Sequence, residues 1–222
     1  MKTLFGKRRR EVLAGLASAK LDALLITRPA NWYYLTGFTG DAGALLATVQ
    51  GTALVTDGRF TGQARQETTG LRIVAHSGGL LESAGKWLLE QRVRRVGFDP
   101  QQVSVAQLRV LRKAAGSRVA WIAAAGIPEG LRMTKEPSEV AQMRKAAILA
   151  SEVVAGTAKL LKPGIREFEI AAEIEYQLRK RGASGSRASP PPCFNISRYP
   201  AIRRCAVGCT GTNRILPRFR II

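Results

Sequence analysis

Hydrophobic positions in the first 128 residues follow two patterns, a helical period and short apolar runs. Apolar residues recur on one face over residues 8–19, which predicts an amphipathic first helix with a basic opposite face. The run at 23–27 predicts a buried strand. Further strands are predicted at 44–49, 53–56, 71–75, 96–99 and 119–122. Further helices are predicted at 58–67, at 80–91, and from a cap at Ser104 to Ala115.

Strands that alternate with helices predict an α/β domain over residues 1–128. The two apolar runs joined at Gln50-Gly51 indicate a hairpin, so the sheet should be mixed rather than purely parallel. The residues expected to be buried in this sheet are Leu24, Ile26, Leu45, Leu54, Ile73 and Val96.

Residues 129–137 are interpreted as a linker, with Pro137 suited to the first turn of the next helix. Segment 138–185 then holds two predicted helices, 137–161 and 167–181, separated by Lys162-Pro163-Gly164. Residues expected to face inward on the first are Val140, Met143, Ala147 and Val154. Two helices that each bury one face do not make a domain, so we expect them to be under-packed.

Segment 186–222 has neither a strand nor a helix period, and contains half of the chain's ten prolines. Its composition is typical of a GC-rich gene read out of frame, so we interpret it as an irregular, basic and frameshifted tail. The alternative is a genuine basic extension that binds acidic partners. The three cysteines, Cys193, Cys205 and Cys209, all lie here. No second Cys or His pair accompanies Cys205 and Cys209, so no zinc site is predicted.

The sequence has 35 Lys and Arg against 16 Asp and Glu, a net charge of +19. Such an excess attracts nucleic acid non-specifically, but no recognition motif accompanies it, so we do not predict nucleic-acid recognition. No apolar run is long enough to predict a membrane span. Lys7–Arg10 followed by apolar residues superficially resembles an export signal, but Glu11, Lys20 and Asp22 interrupt it. We therefore expect a cytoplasmic protein.

Several short stretches, in order and at regular distances, resemble one known family. They are 21–27 with 29–31, Tyr34-Leu35-Thr36-Gly37-Phe38, 54–60 with 63–64, Val96-Gly97-Phe98-Asp99, 131–139, 143–146, and Lys162-Pro163-Gly164 followed by Glu167, Glu169 and Glu175. Together they resemble the creatinase, prolidase and Xaa-Pro aminopeptidase family.

This resemblance implies a creatinase-like N-terminal domain followed by the first helices of an incomplete pita-bread peptidase domain. Family members hydrolyse X-Pro bonds with two divalent ions, commonly manganese, held by two Asp, one His and two Glu. These ligands lie beyond residue 185 in the family, whereas this chain has no Asp, Glu or His after Glu175 and only one histidine, His76. We therefore predict no catalytic residue, metal ligand or cofactor in this chain, and no activity on proline-containing peptides.

Asp57 and Arg59 are the candidate site residues. The resemblance implies that the N-terminal domain of one subunit approaches its partner's active site, where this loop can supply an arginine to the substrate or the interface. The alternative is an Asp–Arg pair that only fixes a turn. Three functions remain open: an inactive peptidase fragment, a homodimerisation or regulatory module, and a basic nucleic-acid binder.

Overall fold

The computed structural model describes residues 2–76 and 78–183. The chain divides into two compact units, Met1–Lys135 and Glu136–Ile222. The predicted tail, residues 186–222 with its three cysteines, lies outside the described residues. None of the helices in the described ranges combines the length and apolar character needed to cross a membrane.

The first unit is built on a six-stranded sheet with the order β4-β3-β2-β1-β5-β6. The strands are β1 (Ala23–Ile26), β2 (Ala44–Thr48), β3 (Gly51–Asp57), β4 (Arg72–His76), β5 (Arg95–Phe98) and β6 (Ala120–Ala123). Strand β2 is antiparallel to β1 and β3, and the other neighbouring pairs are parallel. Five strands therefore end at the same edge, here called the carboxyl edge, and the predicted mixed sheet is confirmed.

Six helices of this unit cover both faces of the sheet. They are α1 (Lys2–Ser18), α2 (Pro29–Thr36), α3 (Gly58–Glu67), α4 (Leu80–Glu90), α5 (Val105–Ala115) and α6 (Ile127–Met133). Successive strand residues point to opposite faces. Leu24 thus joins Val12 and Phe38 in one core cluster, while Leu25 joins Trp87 and Leu111 in the other.

The predicted core is almost entirely confirmed. Leu24, Ile26, Leu45, Leu54 and Val96 are all buried. Ile73 is only partly buried, because it lies on β4, which pairs with β3 alone at one end of the sheet.

Two short helices were not predicted. Helix α2 has Pro29 in its first turn and ends at Gly37, which has a left-handed φ of 81°. Helix α6 begins two residues before the segment interpreted as a linker, covers its first half and packs against α1 and α2. The Tyr34 hydroxyl donates to the carbonyl oxygen of Leu131 at 3.1 Å, so residues up to about Met133 pack with the first unit.

The second unit contains α7 (Pro137–Ala158) and α8 (Glu167–Lys180) in its described part. The face of α7 that was predicted to point inward is exposed, which differs from the predicted inward face but agrees with the expectation that these helices are under-packed. Val140, Met143 and Val154 are 43%, 57% and 37% exposed, and Ala147 is also exposed. The buried residues of α7 are Val153 and Thr157, because that side of the helix lies against α8.

Candidate functional site at the carboxyl edge

Asp57 ends β3 and caps the first turn of α3. Its backbone is extended, and its Oδ1 accepts a hydrogen bond from the Arg59 amide at 2.9 Å. Aspartate is favoured at this position because the first amides of a helix have no partner within the helix. The sequence Asp57-Gly58-Arg59 therefore fixes the transition from strand to helix.

The Arg59 guanidinium folds back onto the same carboxylate. Its Nη2 donates to Asp57 Oδ2 at 2.7 Å, and its Nε lies 3.2 Å from Oδ2 and 3.3 Å from Oδ1. The Arg59 side chain nevertheless stays 75% exposed, against 20% for Asp57. The structure brings these two candidate residues together as an ion pair on the surface.

The pair favours the charged form of both groups. The side-chain hydrogen bond from Arg59 lowers the pKa of Asp57 below its usual 3.8. The same hydrogen bond, together with the negative charge of Asp57, raises the pKa of Arg59, with a smaller contribution from Asp41. At neutral pH this surface therefore presents a fixed, oriented guanidinium.

A second polar group fixes the glycine-rich loop beside α3. Glu67 accepts from the Thr39 amide at 2.8 Å, from the Thr39 hydroxyl at 2.7 Å and from Gln63 Nε2 at 2.9 Å. Burial opposes ionisation of Glu67, but these hydrogen bonds outweigh it and its pKa lies below the usual range. The sequence analysis missed this group, although Gln63 and Glu67 stand four residues apart on a predicted helix, a spacing that places them on one face.

A polar network closes the crevice at the ends of β1, β5 and β6. The buried Asn31 donates to Glu129 at 2.6 Å and accepts from Arg132 at 2.9 Å. Arg28 lies 3.7 Å from the same Glu129 oxygen. The enclosed volume is about 10 Å³, room for a single water at most. In this structure the network therefore fills most of the crevice with its own side chains.

His76 ends β4 opposite Asp57 in the sheet register. Its Nδ1 lies 2.7 Å from the Gly78 carbonyl oxygen. Across residues 2–76 and 78–183, no three His, Cys, Asp or Glu side chains come close enough to hold a metal ion.

Both units contain residues that match known protein families. Residues 8–134 match the creatinase/prolidase N-terminal domain, and residues 141–209 match metallopeptidase family M24. The second match extends into the segment interpreted as frameshifted. That interpretation stays a prediction, which the nucleotide sequence of the gene can test.

Individual relatives agree with these matches. An uncharacterized peptidase of Bacillus subtilis, YqhT, is 31% identical over 75% of this chain and 47% of its own length. The Xaa-Pro dipeptidase of Bacillus anthracis is similar in structure, with a TM-score of 0.77 and 26% identity over 82% of this chain and 50% of that one. The N-terminal domain of the cytoplasmic peptidase PepQ of Mycobacterium tuberculosis is 32% identical, with a TM-score of 0.54, over 57% of this chain and 98% of that one.

The chain belongs to the creatinase/prolidase family of metallopeptidases. It spans about half the length of the curated relatives that it matches. The predicted family and fold class are thus confirmed, and membership implies metal use in the family. The roles of Asp57 and Arg59 stay predictions.

Proposed function

We propose that this chain is the amino-terminal half of a metallopeptidase that cleaves X-Pro bonds, and that it does not cleave them by itself. The observation that carries the proposal is the structural match to an Xaa-Pro dipeptidase, which covers 82% of this chain but only 50% of that enzyme. We therefore assign cleavage of X-Pro bonds to a protein that contains more helices and strands than residues 1–183 form.

The residue inventory supports the second part of the proposal. Metal-assisted hydrolysis needs several carboxylates and histidines that converge on the ions and activate a water. Residues 176–222 contain no Asp, Glu or His. Glutamates on α7 and α8 are engaged in ion pairs such as Glu152–Arg181 and Glu175–Arg179, and no cluster forms among the described residues.

Arg59 is the residue of this half that we assign to the substrate or to a partner subunit. Its guanidinium is exposed and held by Asp57, and the planar fork of arginine suits the carboxylate of a peptide. A substrate carboxylate would have to share the guanidinium with Asp57. In an intact relative, this arginine would assist binding, while polarisation of the scissile carbonyl would come from the metal ions.

The test is release of proline from an Xaa-Pro dipeptide by the purified full chain with manganese. We expect no more proline than from the same chain treated with chelator. A complete Xaa-Pro dipeptidase in the same assay shows that substrate and metal are competent. Metal-dependent turnover that follows this chain through purification would contradict the proposal.

Location and assembly are also proposals. The related PepQ is described as a cytoplasmic peptidase, and we assign this chain to the same compartment.

We further propose a homodimer formed through the unit Met1–Lys135. Sedimentation velocity should then give twice the 24.1 kDa mass of one chain, whereas a monomer at micromolar concentration would contradict it.

A further inference from the structure

Five exposed cations line the edge of the sheet opposite Asp57 and Arg59. They are Lys20, Arg92, Arg94, Arg95 and Arg118, and together they are called the basic edge. The segments that carry them are hydrogen-bonded neighbours. The Asp22 amide donates to the Arg95 carbonyl oxygen at 2.9 Å, and the Ala120 amide to that of Arg94 at 2.7 Å. Three adjacent strands span roughly 10 Å, so the charges are close together.

The carboxylates nearby do not pair with these cations, and the Arg95 guanidinium instead donates through Nε to the Lys20 carbonyl oxygen at 2.6 Å. Asp22 Oδ2 accepts from the backbone amides of Arg94 and Arg95, at 2.8 and 2.9 Å, rather than from a guanidinium. Glu90, in the last turn of α4, is the other acidic residue of these segments. Within the described part of the chain, none of the five cations forms an ion pair with a carboxylate. The edge thus keeps a net positive charge.

Two of the cations occupy backbone positions that favour glycine. Lys20 and Arg92 have φ values of 54° and 55°, in the left-handed region. Each follows the end of a helix, where its amide donates to the carbonyl oxygen of Ala17 or Leu89, both at 3.1 Å. Glycine is the usual residue at such helix ends. The fold therefore does not require a long side chain at either place, and both can be replaced by glycine.

We propose that the basic edge binds the phosphate backbone of duplex nucleic acid without reading its sequence. Four of the five cations are arginines, which bind phosphate with two parallel hydrogen bonds. Large exposed aromatics among the described residues are Tyr33, Phe168 and Tyr176, which lie outside these segments. Without a stacking platform, single-stranded bases are not the expected ligand.

A long polyanion fits the chain better than a short acidic peptide does. The net charge of +19 creates an electric field whose range is set by the salt concentration. This field attracts many phosphates of a duplex at once, whereas a short peptide offers only a few negative charges. A duplex carries one phosphate charge per about 1.7 Å of axis, and each neutralised phosphate releases counterions. The basic edge would give this general attraction a defined place of contact.

The experiment measures binding of the full chain to a fluorescent 30-base-pair DNA duplex between 50 and 200 mM NaCl. Each phosphate contact contributes about 0.9 to the negative slope of log K against log salt concentration. The double variant Lys20→Gly/Arg92→Gly should therefore bind with a slope shallower by roughly 2. A second pair, Arg94→Gln/Arg118→Gln, should do the same and guards against misfolding of the first.

The matched control is Arg144→Gln/Lys145→Gln on α7, which removes the same charge from exposed positions in the other unit. It should leave the slope unchanged. An equal decrease in the control, or no decrease in either basic-edge pair, would overturn the proposal. Equal competition by a polyglutamate peptide would also overturn it, in favour of an acidic protein partner.

Discussion

The two units of the chain bury their apolar residues very differently. Among the described residues, the buried hydrophobic side chains all lie in Met1–Lys135 except Val153. Helices α7 and α8 instead carry exposed Val140, Met143, Ile148 and Phe168, and Leu160 is exposed in the segment between them. The first unit closes its own core, whereas the described part of the second exposes an apolar surface of the kind that normally contacts another element.

Layer architecture explains the difference. A sheet with helices on both faces buries two apolar layers, whereas a pair of helices can bury only the narrow stripe where they touch. In α7 and α8 that stripe includes Val153 and Thr157. Amphipathic helices can therefore be recognised from the sequence in both units. Only in the first unit do the described residues include a sheet that buries their apolar faces.

The largest expected effect is on the core of the first unit. Leu54 is fully buried and pairs with Leu45 and Ile73 on either side. We expect Leu54→Ala to lower the free energy of unfolding by about 2–5 kcal/mol, because it leaves a cavity in a packed layer. All three tryptophans, Trp32, Trp87 and Trp121, lie in this unit, so urea unfolding followed by tryptophan fluorescence measures it directly.

The control for that variant is Met143→Ala in the second unit. Met143 is 57% exposed, so its truncation should change the free energy of unfolding by less than about 0.5 kcal/mol. This variant is followed by helical circular dichroism, because the second unit contains no tryptophan. A Met143→Ala effect as large as that of Leu54→Ala would show that α7 packs against a substantial core.

Glycines give a second, smaller contrast. A Cβ on Gly97 would lie 2.6 Å from Leu21 Cδ1 and 3.1 Å from Ala124 Cβ, so we expect Gly97→Ala to destabilise the first unit by about 1–3 kcal/mol. A Cβ on Gly156, inside α7, would meet nothing within 4 Å. Gly156→Ala should stabilise α7 by up to about 1 kcal/mol. The helical circular dichroism signal should therefore become stronger, while the fluorescence transition of the first unit stays where it is. Destabilisation by Gly156→Ala would indicate close packing around α7.

The smallest expected effect concerns the surface pair at the carboxyl edge. Asp57→Asn keeps a good helix cap but loses the ion pair with Arg59, whereas Asp57→Ala loses both. We expect the Asn variant to unfold at nearly the wild-type urea concentration at pH 7, and the Ala variant to unfold earlier.

The pH dependence of this pair has a defined sign. Because Arg59 lowers the pKa of Asp57 below 3.8, the pair stabilises the fold above that pH and loses its effect as the pH falls through the lowered pKa. The difference between wild type and Asp57→Asn should therefore close below pH 3.8. A difference that grew on acidification would contradict this assignment.

Strand positions could be predicted from the sequence because each strand is a short apolar run bounded by polar or glycine-containing turns. The hairpin of β2 and β3 followed from Gln50-Gly51, and the cap of α5 from Ser104, which forms a reciprocal cap with Gln107 in the structure. Such features depend on neighbouring residues alone. The contact between Asp57 and Arg59 was predictable for the same reason, since only Gly58 separates them.

Features that depend on distant partners were not predictable. The first helix was expected to have a basic outer face, yet Arg8 is only 4% exposed and stacks 3.8 Å from the centre of the Tyr34 ring. The polar network of Asn31, Glu129 and Arg132 joins residues about 100 positions apart.

Helix α2, by contrast, could have been predicted from the sequence. It is short, but its signals, Pro29 at the start and Gly37 at the end, were present.

Hydrogen exchange of the full chain, read peptide by peptide, tests most directly the claim that the first unit is a complete domain and the described part of the second is not. Amides of β1, β2 and β3 should exchange only through global unfolding of the first unit, whereas those of α7 and α8 should exchange at least about 100-fold faster. Equal protection of α7, α8 and the sheet would contradict the claim and show that the second unit has a stable core of its own.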